Sequence, residues 1–249
     1  MTSMTSSTTI SVPAKPAPFT LDISTTALIV IDMQRDFLKG GGFGEALGND
    51  VTKLQRAIGP CKRVLETVRQ LKEQQQQQQQ GEEINDEKGG GVLVLHTREG
   101  HRPQGVCVYE SKQKHARGAI GRESMNNGRI LIRGEKGHDI IEELSPTEDE
   151  AVIDKPGKGS FYATDLELIL RANHIKTLIV CGVTTEVCVH TTVREANDRG
   201  FQCLVVEDAC SSYIDEFHEA AIKMVWAQGG IFGSVTTSTE LVQSLTGGG

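Results

Sequence analysis

"KTLIVCGVTTEVCVHTTVREANDRGFQCLVVED", residues 176 to 208, decides the fold. The apolar, β-branched run "KTLIVCGV" reads as a buried strand, "TEVCVHTTVREANDRG" as a helix closed by Gly200, and "FQCLVVED" as a second strand. Two strands joined by a helix form a βαβ unit, whose strands are parallel and whose crossover is right-handed.

The same rhythm continues outward. "ALIVID" (27–32) and "GVLVLH" (91–96) are short apolar runs, and "RILIR" (129–133) and "AVIDK" (151–155) read as further strands. Apolar positions recur at the helical period through residues 49–73, "GHDIIEEL" reads as helical, and "TDLELILRAN" and "DEFHEAAIKMVWAQGG" are amphipathic. Alternating strands and helices predict an α/β fold, a single-domain Rossmann-like three-layer sandwich with a parallel sheet. Ligands then sit at the carboxyl ends of the strands. That edge gathers Asp32, His96, Lys155 and the loop after Val183.

The 249 residues carry a net charge of −7 and no Lys/Arg-rich block, which argues against nucleic acid as a partner. No run of 18 apolar residues and no apolar leader are present, so a cytoplasmic protein without a membrane span is expected. Residues 1–20, rich in Ser, Thr and Pro, are expected to be a disordered tail ahead of one domain at 21–246. The glutamine and acidic stretch at 74–90 is expected to be a flexible insertion within it. The six cysteines form no CxxC pair, which argues against a structural zinc site. Cys181 and Cys203, inside apolar runs, are expected in the core.

Cys188 differs from them. It falls in the first turn of its helix if Thr184 or Thr185 is the cap, where free N–H groups and the helix dipole favour a thiolate. Asp32 and Lys155 each end a strand, so three separate strand ends supply a base, a cation and a nucleophile, as acyl transfer requires. A lysine beside the thiol is expected to lower its pKa. Lys158, in a Gly-flanked loop, is expected to be a solvated charge.

Together, "ALIVIDMQRDF", "KPGKGSF" followed by "TDLELIL", and "CGVTTEVCVHTTVREANDRGF" resemble the signature blocks of the isochorismatase-like cysteine hydrolases. The resemblance implies a six-stranded parallel sheet without a dinucleotide, and a homo-oligomer, dimer or tetramer. It implies the triad Asp32, Lys155 and Cys188, and a cis peptide between Val183 and Thr184 that turns the N–H groups of Thr184 and Cys188 into an oxyanion hole. The implied reaction is C–N cleavage of a small amide through a Cys188 thioester, with release of ammonia and no cofactor. Isochorismate hydrolysis and a nicotinamidase-like activity are the alternatives.

"HTREGHRP" (96–103), "GRILIRGEKGHDI" and "MVWAQGGIFG" look most like the branch that hydrolyses ureido compounds such as biuret, ureidoacrylate and N-carbamoyl amines. Nicotinamidases hold zinc with an Asp and two His; His96 and His101 do not match that pattern, so no metal is expected. Arg98, Phe161, Tyr162 and Gln228 are the candidate substrate contacts. Arg98 offers a planar fork for a carboxylate, and Gln228 an amide for a urea group.

Overall fold

The computed structural model describes residues 9–79, 91–115 and 118–247. The chain begins with a hairpin of β1 (Thr9–Val12) and β2 (Phe19–Asp22). The central strands are β3 (Thr26–Ile31), β4 (Leu93–Glu99), β5 (Ala151–Lys155), β6 (Thr177–Val183), β7 (Gln202–Ser211) and β8 (Ser234–Thr236). They form one parallel sheet in the order β8-β7-β6-β3-β4-β5. The chain travels from β3 outward to β5, then returns to the other side of β3 and continues from β6 to β8. β3 and β6 therefore flank the switch point, where diverging connections leave a crevice at the strand ends.

Side chains alternate across the sheet and build two cores. Leu28, Val30, Val94, Ile179 and Cys181 pack beneath the long helix α1 (Ile58–Gln79) and the C-terminal α5 (Ser238–Leu245). Ala27, Ile29, Ile31, Leu178 and Val180 face α2 (Leu166–Ala172), α3 (His190–Asp198) and α4 (Asp215–Gly230). Gly182 is needed where β6 meets β3: its φ is +120°, and a Cβ there would lie 2.1 Å from the Ile31 carbonyl oxygen.

Several expectations are corrected. Residues 9–20 are not a disordered tail, because Val12 and Leu21 bury completely and Lys15 pairs with Val235 beside β8; residues 1–8 lie outside the described residues. Residues 74–79 continue α1 instead of opening a flexible loop, since glutamine is a good helix former and the Gln75 side chain accepts the Val92 N–H. The rest of that insertion, 80–90, lies outside the described residues. "RILIR" is not a strand of the central sheet: Arg129 pairs with Glu123 in a two-stranded ladder and Ile132 bridges His101, while Leu131 between them takes a φ of +53° and its N–H is held by the buried Asp36 carboxylate at 2.7 Å. "GHDIIEEL" contributes two 3-10 turns, Lys136–His138 and Glu142–Leu144. Among the described residues, no helix is long and apolar enough to cross a membrane.

Candidate active site

Asp32 follows the last residue of β3 with a φ of +51°, a left-handed conformation that Asp tolerates. Its Oδ1 accepts the Thr97 hydroxyl at 2.6 Å, and its Oδ2 lies 2.7 Å from Lys155 Nζ. Both side chains are fully buried. Lys155 comes from the end of β5, two strands away, and its ammonium also donates to the carbonyls of Gly157 and Lys158 at 3.0 and 2.9 Å. Two carbonyl acceptors and the Asp32 ion pair thus surround the amine and hold it in place.

Cys188 approaches from the other side of the switch point. The Val183–Thr184 peptide at the end of β6 is cis, and a π-helical turn, Thr185–Val189, leads into α3. Thr192 Oγ1 donates to the Cys188 carbonyl at 2.7 Å, and Thr185 bonds His218 of α4 at 2.8 Å, so both ends of the turn are anchored. One oxygen of Asp32, one of Glu99 and the Cys188 sulfur all lie within 4.8 Å of one another.

Glu99 is the site residue that sequence reasoning passed over. It ends β4 on the same face as Thr97, is fully buried, and accepts the Cys188 thiol through Oε2 at 3.9 Å. Gln34 accepts its N–H at 2.7 Å and donates to its carbonyl at 3.0 Å. Period-two alternation from Thr97, together with the charge of Glu99 at a strand end, was the available signal. Lys158 is not a free solvated charge: its Nζ lies 2.7 and 2.9 Å from the two Glu99 oxygens.

The electrostatics correct a second expectation. Burial drives the Cys188 thiol well above its ordinary value; Lys155 and Lys158 pull it down, Asp32 and Glu99 push it up, and burial prevails. The resting group is a thiol, whose proton must leave as it attacks. Burial opposes the charge of Lys155, yet Asp32, Cys188 and Glu99 outweigh it and hold the amine above an ordinary lysine. Burial likewise opposes the Glu99 carboxylate, but Lys158 and Lys155 overcome it and hold the acid ionised.

The convergence of Asp32, Glu99 and Cys188 has the spacing of metal ligands. Its carboxylates, however, already carry the ammonium groups of Lys155 and Lys158, so a cation would have to displace one of them. His96 lies on the opposite face of β4 against Glu150 at 2.9 Å, and His101 sits 3.7 Å from the Cys107 sulfur.

A cavity of about 330 Å³ opens above the sulfur. Phe37, Phe43, Leu47, Ile120 and Val187 form apolar walls, while Glu99, Lys112, Lys158, Glu186 and Tyr213 supply polar groups. Cys188 and Thr184 line it; Asp32 and Lys155 do not.

None of the four candidate substrate contacts lines this cavity. Arg98 lies on the opposite face of β4, its fork spent on Asp154 at 2.8 and 3.2 Å. Phe161 is a core residue stacked on Phe201, with ring centroids 5.9 Å apart. Tyr162 is half exposed, and its hydroxyl meets that of Tyr109 at 3.0 Å. Gln228 is exposed in a left-handed turn near the end of α4, where Ala227–Gly229 depart from helical geometry.

Comparison with known proteins agrees with this architecture. The profile of the Isochorismatase domain matches residues 26–240. A ureidoacrylate amidohydrolase RutB of Methylorubrum extorquens is 30% identical over 205 residues, covering 80% of this chain and 75% of its own. That of Caulobacter segnis is 28% identical over 232 residues, covering 93% and 90%. A cysteine hydrolase from Pseudomonas syringae pv. phaseolicola 1448A shares the fold with a TM-score of 0.71 at 24% identity, covering 91% of this chain and 95% of its own. N-carbamoylsarcosine amidase from Thermoplasma acidophilum does so with a TM-score of 0.60 at 24% identity, covering 86% and 96%. With its switch-point crevice and a domain match spanning most of its length, the chain belongs to the isochorismatase family of hydrolases.

Proposed function

We propose that this hydrolase cleaves the C–N bond of a small ureido or carbamoyl amide through a Cys188 thioester. The observation that carries the reading is the convergence of Asp32, Lys155 and Cys188, positioned by the ends of three strands, with Cys188 lining a largely apolar cavity and the Asp32–Lys155 pair buried beside it. In the proposed course Asp32 takes the thiol proton and sulfur attacks the carbonyl carbon. The oxyanion is held by the N–H groups of Thr184 and Cys188, with Lys155 nearby. Asp32 returns the proton to the departing nitrogen, ammonia leaves, and water hydrolyses the thioester.

Two features of the cavity support a ureido acid of the kind named for the 30% identical relative. Glu186 presents a buried Oε2 with no hydrogen-bond partner among the described residues, an acceptor suited to ureido N–H groups. Lys112 lines the same space without a carboxylate partner among the described residues, a cation suited to a substrate carboxylate. Ammonia release from ureidoacrylate, biuret, N-carbamoylsarcosine and nicotinamide, with isochorismate consumption measured alongside, tests the reading. Cys188-dependent ammonia from a ureido compound is expected; isochorismate loss that survives Cys188→Ala would replace it with ether hydrolysis.

A further inference from the structure

We propose that Glu99 is a second acid–base residue of this site, the acceptor of the proton from the water that cleaves the Cys188 thioester. The inference rests on the thioester reading above and concerns its second half. Two carboxylates lie within reach of the sulfur, and their surroundings differ. Asp32 does not line the cavity: its Oδ1 accepts the Thr97 hydroxyl at 2.6 Å, and its Oδ2 faces the buried Lys155 ammonium as an ion pair at 2.7 Å. Glu99 lines the cavity and meets the thiol at 3.9 Å. Water that reaches an acyl group on Cys188 from the cavity therefore meets Glu99 first.

Acylation also alters Glu99 itself. The thiol that Oε2 accepts in the resting enzyme loses its hydrogen when sulfur bonds to the acyl carbon, which frees that lone pair for a water molecule. Lys158 stays on the carboxylate and keeps it ionised. The water proton passes to Glu99, the water oxygen bonds to the acyl carbon, and the carbonyl π pair moves onto oxygen. On collapse the C–S bond breaks, its electron pair goes to sulfur, and Glu99 returns the proton to sulfur. Thiol and carboxylate are regenerated and the acid product leaves.

The test uses p-nitrophenyl acetate, which acetylates a reactive thiol without needing the natural amide. Wild type is expected to give a burst of about one nitrophenolate per site, followed by slower turnover set by deacetylation. In Glu99→Gln the burst amplitude should survive while the steady phase falls about 10²-fold or more, the usual worth of a general base. Hydroxylamine, a nucleophile that needs no base, should restore release in the variant, which loss of packing alone would not allow. Lys158→Met provides a second arm, since the lysine side chain is 39% exposed and its replacement leaves the core intact. Removing that cation raises the Glu99 pKa, so the acid limb of the steady phase should move to higher pH. Parallel loss of burst and steady phase in Glu99→Gln, no loss in either, an unmoved acid limb in Lys158→Met, or a wild type that is never acetylated would overturn the proposal. Failure of every amide in the panel to react with wild type would instead count against the substrate reading.

Discussion

The two faces of β4 carry buried polar contacts of nearly equal length that serve different ends. On one face His96 meets Glu150 at 2.9 Å, and Arg69 of α1 grips the same carboxylate through Nε and Nη2, both at 2.7 Å. On the other face Thr97 and Glu99 belong to a cluster of two carboxylates, two ammonium groups and a thiol. The first face is closed: the Thr147 N–H also donates to Glu150, and α1 is tied to the start of β5. The second face opens onto a cavity beside the Cys188 sulfur. Distance does not separate structural from chemical pairs; the presence of a reactive atom and a route for solvent does.

The comparison is broken most severely at the sulfur. Cys188→Ser is expected to lower kcat by about 10⁴-fold or more while leaving thermal unfolding within a few degrees of wild type. Retained turnover would end the covalent scheme. Lys155→Ala strands the Asp32 carboxylate in the interior, so it should cost about 3–5 kcal/mol in urea unfolding and abolish ammonia release as well. A stable, active variant would mean that the pair is dispensable.

Glu150→Gln tests the closed face. It should cost about 3 kcal/mol at neutral pH and leave kcat unchanged. Burial opposes the Glu150 charge, but Arg69 and His96 outweigh it and hold the carboxyl far below its ordinary value of 4.5. The folded state thus binds fewer protons than the unfolded state, and this contribution is complete above about pH 4.5 and fades as pH falls below it. Urea titrations of both proteins should therefore converge on acidification; a gap that is constant with pH would refute the assignment.

Alkylation sharpens the contrast on the open face. A thiol raised well above 9.0 by burial should react slowly with iodoacetamide at pH 7, and its rate should still be climbing past pH 9. A rate plateau near neutrality would show a resting thiolate instead. The smallest effect is expected at Arg98, whose partner Asp154 is partly exposed: Arg98→Ala should cost about 1 kcal/mol or less and leave kcat/KM within about twofold. A large fall in kcat/KM would return this residue to the substrate site.

Asp32, Lys155 and Cys188 were legible in the sequence because each sits at the end or entry of a strongly patterned element, and a parallel sheet gathers strand ends at one edge. The βαβ rhythm likewise determined a parallel sheet and five of its strands, β3 to β7, since apolar runs of strand length have few other ways to be buried; the short edge strand β8 was not read, and the count of six came from the family resemblance. Tertiary structure alone decided the rest. Period-two alternation puts Glu99 and Arg98 on opposite faces of β4, but which face meets the site was decided by the register with β3 and β5. Burial reversed the expected ionisation of Cys188, because desolvation depends on everything that surrounds the sulfur and not on its position in the helix. Residues 9–20 and 74–79, low in apparent content, were ordered by partners distant in sequence, the strand edge at Val235 and the Val92 backbone. Local pattern names the elements and their ends, whereas the pairing of charges and the access of solvent arise only when distant strands pack together.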